Sequence, residues 1–286
     1  MAVQMHVAHS SVVRGAGVVA GGPYYCAQGS VFAAYYHCLD PGFFGPLPAT
    51  AVLKAQTEAF AAAHRIDATS HLAGSRAWLF SGSQDTTVAS SVVEALNAYY
   101  GQYKVHTAFV REPAGHGMVT TDYGNPCGTT AAPYLNDCDY DAAGEILNFL
   151  LGPLEAPSSA PTGRVVEFDQ KPFADGSPYA ISLADAGFVY IPRACETDRC
   201  RIHVAFHGCR QEADVVGKAF VLHAGYNRWA DTNHLIVLYP QTIARYLWLF
   251  NPRGCWDWWG YTGPDYATRS APQMRAVMGM IERLGR

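Results

Sequence analysis

Apolar residues fall along the chain in two forms, short unbroken runs and longer stretches broken by polar residues at helical spacing. The runs Ala77-Trp78-Leu79-Phe80, Val105-His106-Thr107-Ala108-Phe109-Val110, Gly187 to Pro192, Arg201 to Cys209 and Leu235 to Pro240 predict buried strands. Arg14 to Gly22 is rich in small residues and predicts a strand in the middle of a sheet. Helices are predicted over residues 1 to 10, about 49 to 64, about 88 to 100, about 142 to 151 and about 213 to 233. A last helix carries Met274, Val277, Met278, Ile281 and Leu284 on one face. Strands alternating with helices in both halves predict an α/β fold with a mostly parallel central sheet covered by helices on both faces.

The 286 residues, 49% of them hydrophobic, suffice for a full core in one large domain or two small ones. Residues 152 to 163 are rich in Pro, Ser and Gly and form the best internal linker, without having to separate domains. We read residues 1–286 as a single domain. A net charge of -4 without a basic block argues against nucleic acid or an anionic membrane as partner. No apolar run reaches the roughly 20 residues that span a bilayer. A neutral partner is expected.

The eight cysteines include close pairs in sequence, Cys26 with Cys38, Cys127 with Cys138 and Cys195 with Cys200. With no C-x-x-C and no histidine at zinc-like spacing, they predict a disulfide framework, no metal site and an oxidising compartment. The opening Met1 to His9 shows neither a charged n-region nor a sustained apolar h-region, so no signal peptide is visible.

Candidate chemistry lies just past two of the predicted strands. Asp85 follows the Trp78 strand, and His116, between Gly115 and Gly117, follows the Phe109 strand. Alone, Asp85 reads as a helix cap and His116 as a surface residue; as an ordered pair they suit the acid and base of a hydrolase triad. Asp122 and Asp139 are weaker acids for that role. His106 reads as a sheet residue. His207-Gly208-Cys209 could aim a backbone N–H at an oxyanion, or could be a tight turn closed by a disulfide. Trp256, Trp258 and Trp259 form an aromatic cluster that suits a cleft wall as well as a core. There is no Gly-x-Ser-x-Gly, and neither Ser75 nor Ser83 has the context of a nucleophile elbow.

Several longer segments then match one family: Ala20 to Ala27, Ser81 to Val88, Asn136 to Gly144, His203 to Cys209, Gly225 to Asn233 and Asn251 to Trp258. Through them nearly the whole chain resembles the secreted poly(3-hydroxybutyrate) depolymerases of the single-domain, circularly permuted type known from fungi. The resemblance implies an α/β-hydrolase fold with permuted strand order, and a serine-type ester hydrolase acting on poly(3-hydroxybutyrate) or a related polyester. It implies Asp85 as triad acid, His116 as base, and Cys209, bonded to Cys255, as donor of an oxyanion N–H. Trp258 would line the polymer cleft, with Trp256 and His207 also taken as substrate-binding. The expected disulfides are Cys26–Cys38, Cys127–Cys138, Cys195–Cys200 and Cys209–Cys255. No cofactor is implied; a secreted monomer with a neutral polyester as partner is expected.

The family's serine sits in a Gly-x-Ser-x-Gly-Gly elbow whose helix continues Met-Ala-x-Gln, which Met1-Ala2-Val3-Gln4 matches. The serine and its strand are therefore expected a few residues before Met1, in a chain whose start is placed too late. As given, the chain is expected to lack triad turnover and to fold poorly beside a missing strand. Rival functions are an esterase for soluble feruloyl or acetyl esters and a polyester-binding protein without catalysis.

Overall fold

The apolar runs form strands in the computed structural model, which describes residues 1–42, 45–247 and 250–285. The chain divides into two compact units, one of Met1–Gly117, Pro126–Ala131 and Asp257–Ala271, the other of Met118–Asn125, Ala132–Trp256 and Pro272–Arg286.

In the first unit a parallel sheet runs in the order β1 (Gly15–Val19), β2 (Arg76–Gly82), β3 (His106–Glu112). Its middle strand buries Ala77, Trp78, Leu79 and Phe80 in succession, as a strand covered on both faces must. Among the described residues β1 stands at one end of this order, not in the middle where its small residues suggested. Helix α1 (Ala2–Ala8) packs on β1 and buries every residue from Val3 to Ala8. Helix α2 (Val31–His37) is capped by the Ser30 hydroxyl, which accepts the Ala33 N–H, and the Cys26–Cys38 disulfide brackets it. Helix α3 (Thr50–Ala62) packs on α4 (Ser90–Gly101), which in turn covers β2 and β3 with Val92, Val93, Leu96, Tyr99 and Tyr100 buried.

The second unit begins with β4 (Met118–Thr120), followed by a two-residue strand β5 (Asn125–Pro126) at the crossing between units, and then β6 (Leu135–Asp137), which pairs in parallel with β4. After α5 (Ala142–Leu151) comes β7 (Arg164–Asp169), absent from the apolar runs because exposed Arg164, Glu167 and Asp169 interrupt half-buried Val165, Val166 and Phe168. It joins β8 (Ala186–Ile191), β9 (Arg201–Val204) and β10 (Leu235–Tyr239) in the order β7-β8-β10-β9. The β7–β8 and β8–β10 ladders are antiparallel, and β10–β9 is parallel. The chain is thus α/β throughout, with wholly parallel pairing in the sheet that carries the acid and base loops. Residues 152 to 163 lie inside this unit and are held there: Asn233 Oδ1 accepts the Glu155 N–H, and Asp231 accepts the N–H groups of Thr162 and Gly163.

The single helix predicted over 213 to 233 is instead three, α6 (Ala213–Val216), α7 (Ala219–His223) and α8 (Tyr226–Thr232). Gly217 at φ 60° and Gly225 at φ 94° take left-handed backbone that a right-handed helix cannot contain. The strand predicted from Arg201 to Cys209 ends at Val204, leaving residues 205 to 209 as a loop. The last helix, α9 (Pro272–Leu284), buries Gln273, Met274, Ala276, Val277 and Met280, while Met278, Ile281 and Leu284 of the predicted face are only half-buried.

Two of the segments that carried the resemblance owe their residues to helix packing. Gly144 of α5 lies against the Trp229 indole of α8, where a Cβ would come within 2.6 Å of the ring. Asp141 caps α5 by accepting the Gly144 N–H at 2.8 Å, and its other oxygen accepts the Trp229 Nε1–H at 2.7 Å.

Candidate active site

The parallel register of β2 with β3 pairs Gly82 with Glu112 at the carboxyl ends of both strands. Beyond it the two loops stay joined, because Ser83 N–H donates to Glu112 O at 2.7 Å and Gln84 N–H to Ala114 O at 3.1 Å. They approach so closely that a Cβ at Gly82 would collide with the Ala114 carbonyl, and one at Gly115 would lie 2.5 Å from Thr129 O. Glycine at 82 lets the Asp85 loop meet the His116 loop, and glycine at 115 lets the His116 loop lie against the 128–129 backbone.

Across that contact His116 Nδ1 lies 2.8 Å from Asp85 Oδ2. Asp85 Oδ1 accepts the N–H groups of Thr87 at 2.7 Å and Val88 at 2.9 Å. The carboxylate therefore both caps a turn and orients the imidazole. The cap closes this turn and not α4, which starts at Ser90. The Asp85 side chain is 2% exposed, whereas that of His116 is 28% exposed. A buried acceptor facing Nδ1 selects the Nδ1–H tautomer and leaves Nε2 as a free base. Among the described residues Nε2 has no hydrogen-bond partner. The His116 N–H donates to Thr130 Oγ1 at 2.9 Å, fixing the loop's backbone as well.

The rejected candidates have other work. Ser75 Oγ donates to Leu72 O and accepts from the buried His6, and Asp122 pairs with Arg228.

In the second unit, the loop after β9 carries His207-Gly208-Cys209, and Cys209 is bonded to Cys255. His207 is buried, its Nδ1–H donating to Gly208 O at 2.7 Å while Nε2 accepts the Thr242 N–H at 3.2 Å. Burial holds the imidazole neutral, pushing its pKa down to about 4. Cys209 itself is exposed, and among the described residues its N–H meets no acceptor. An exposed turn amide without a partner can receive a developing negative charge.

Trp256 is buried edge-on against Phe206 and tilted against His207, so neither Trp256 nor His207 offers a ligand more than a sliver of surface. In the first unit Trp258 is partly exposed and meets buried Trp259 edge to face. Between Trp256 and Trp258 in sequence, buried Asp257 accepts the N–H groups of Gly260, Tyr261 and Thr262 and the Thr262 hydroxyl. Burial raises its pKa, and these donors pull the other way. Sequence reasoning passed over Asp257 because nothing in the linear pattern marks a carboxylate that folds its own loop around itself.

No protein-family model matches the chain. It is 41% identical over 293 residues to a poly(3-hydroxybutyrate) depolymerase of Delftia acidovorans, matching 99% of this chain and 57% of that protein. To the polyhydroxybutyrate depolymerase of Talaromyces funiculosus it is 33% identical over 99% of this chain and 86% of that protein. The chain belongs to the poly(3-hydroxybutyrate) depolymerase family. It spans little more than half the length of the Delftia depolymerase.

Two solved depolymerase structures share the fold. One is a PHB depolymerase with serine replaced by alanine, complexed with an R3HB trimer, at TM-score 0.88 and 32% identity over 98% of this chain and 90% of that one. The other is the PHB depolymerase from Penicillium funiculosum, at TM-score 0.87 and 32% identity over the same shares. Within this depolymerase fold, Cys26–Cys38, Cys195–Cys200 and Cys209–Cys255 are disulfides. Cys127 and Cys138 are disulfide-bonded as well.

Proposed function

We propose that this chain forms the substrate-binding and acid–base body of a secreted poly(3-hydroxybutyrate) depolymerase, a serine-type ester hydrolase without a cofactor. The observation that carries the reading is the Asp85–His116 hydrogen bond with Nε2 left open. With a serine supplied, His116 Nε2 takes the hydroxyl proton as the oxygen attacks the ester carbonyl, and Asp85 steadies the imidazolium that forms. The Cys209 N–H donates to the carbonyl oxygen as it becomes negative. His116 then gives its proton to the leaving alkoxide, and water, activated the same way, releases the hydroxyacid from the acyl-enzyme.

The 286 residues hold no serine in an elbow, so the chain as given is expected to bind the polyester without turning it over. Partly exposed Trp258 offers an apolar face to the chain's methyl and methylene groups. The disulfides suit an extracellular protein, and we read it as a monomer.

Titration calorimetry with an R3HB trimer tests the binding half, and absence of heat in the intact, disulfide-bonded chain argues against the reading. The chemical half is tested by adding a Gly-x-Ser-x-Gly-Gly elbow strand ahead of Met1 and following poly(3-hydroxybutyrate) film. Hydrolysis that disappears in His116→Ala is expected; undiminished hydrolysis in that variant would overturn the assignment.

A further inference from the structure

Three of the four backbone amides from Gly208 to Gln211 are committed. Gly208 N–H donates to Gln211 Oε1 at 2.8 Å, Arg210 N–H to Arg253 O at 2.7 Å, and Gln211 N–H to Gly208 O at 3.2 Å. Cys209 alone in this run has no acceptor among the described residues. The Gln211 side chain organises the pattern. It is 5% exposed, and while Oε1 holds the Gly208 N–H, Nε2 donates to Pro133 O at 3.2 Å and Tyr134 O at 3.0 Å.

We propose that Gln211 is a positioning residue that sets the direction of the Cys209 N–H by tying the His207–Arg210 turn to the 133–134 backbone. The inference rests on the reading of Cys209 as the oxyanion donor. The neutral amide suits the task because one end accepts and the other donates twice. A carboxylate of the same length keeps the bond to Gly208 and loses both bonds to the 133–134 carbonyls, which it would also repel. Arg210 sits at φ 60°, a left-handed backbone that a non-glycine residue holds only where its surroundings impose it. Removing the Gln211 ties lets that residue relax and turns the Cys209 N–H away. It also frees the Gly208 N–H to compete for the same acceptor.

The test reads the Cys209 amide itself. Gly208-Cys209 and Gly254-Cys255 are the Gly-Cys steps of the sequence, so glycine carbonyl-13C with cysteine 15N labelling gives a spectrum of these two amides. The Cys255 N–H donates to buried Asn251 Oδ1 at 2.9 Å and is the protected reference. In the unmodified chain, a saturating R3HB trimer is expected to shift the Cys209 signal and slow its exchange about tenfold or more. In Gln211→Glu the trimer still binds by calorimetry, the Cys255 signal is unchanged, and Cys209 exchange slows less than about twofold.

A Cys209 response in Gln211→Glu equal to that of the unmodified chain overturns the role of Gln211 and leaves the oxyanion reading standing. A trimer that binds the unmodified chain without moving Cys209 overturns the oxyanion reading, and this inference with it. If Gln211→Glu loses the Cys255 signal through misfolding, Gln211→Met, apolar and of similar length, is read in the same way. Loss of that signal in both variants makes Gln211 a folding residue and overturns the proposal.

Discussion

Asp85 Oδ2 stands 2.8 Å from His116 Nδ1 while Oδ1 of the same carboxylate accepts two backbone N–H groups. An asparagine there can keep the cap through its oxygen but presents an NH2 to Nδ1, which favours the opposite tautomer. Asp85→Asn is therefore expected to lower stability by no more than about 1 kcal/mol. It should also move the imidazole proton to Nε2, and cut turnover in the serine-supplied chain by about 10⁴. Imidazole 15N shifts check the tautomer, and an Nδ1–H signal that persists in Asp85→Asn counts against Asp85 as its partner.

The glycines beneath this pair are tested by adding one carbon. Gly115→Ala places a methyl group 2.5 Å from Thr129 O, and backbone cannot give way as a flexible side chain can. A loss of about 1–3 kcal/mol in denaturant unfolding is expected, together with a weakened His116–Asp85 bond. An unchanged midpoint would mean the His116 loop does not lie against the 128–129 backbone.

The tryptophans should separate. Trp256→Ala empties a buried site and is expected to cost about 3–5 kcal/mol of stability. Trp258→Ala, at a partly exposed position, should cost far less and weaken binding of the R3HB trimer. Equal stability losses with unchanged trimer affinity would remove Trp258 from the substrate surface.

Acid should loosen the fold. His6 is buried, its Nε2–H donating to Ser75 Oγ and its Nδ1 accepting from Tyr100 Oη, and burial pushes its pKa from the usual 6.5 down to about 4, as for His207. The unfolded chain then takes up protons more readily than the folded one between those values. Stability is full above pH 6.5 and falls as the pH drops toward 4, by up to ~3 kcal/mol for each histidine. Guanidinium midpoints at about pH 7.5 and pH 5 measure the slope, and His6→Gln should reduce it. Identical midpoints would show that neither histidine is held neutral by the fold.

The Cys209–Cys255 disulfide closes a span of 46 residues. Removing it in a Cys209→Ala, Cys255→Ala chain is expected to cost about 4 kcal/mol, by loop-closure entropy in the unfolded state. A loss below about 1 kcal/mol would show that the 209–255 span is already constrained without the bond.

Unbroken apolar runs marked the strands buried on both faces, such as β2 and β10, because covering both faces requires apolar residues at every position. The edge strand β7 escaped, since exposed Arg164, Glu167 and Asp169 break its apolar residues Val165, Val166 and Phe168 into short pieces. Asp85 and His116 were legible as an ordered pair because the chain places each just past an apolar run that forms a strand, although of the two only β2 is buried and β3 is at most half-buried. The contact of the two side chains was not legible: it depends on the β2–β3 register and on Gly82, whose need shows only when the loops meet. Local composition could not break the helix at Gly217 and Gly225, because a glycine is compatible with either hand until its neighbours choose. That the Cys209 N–H meets no acceptor among the described residues, and that Gln211 bonds the turn beside it to the 133–134 backbone, were decided by tertiary structure alone. Which amide lacks an acceptor depends on every carbonyl that packing brings near, and here those carbonyls lie 77 and 78 residues away in sequence.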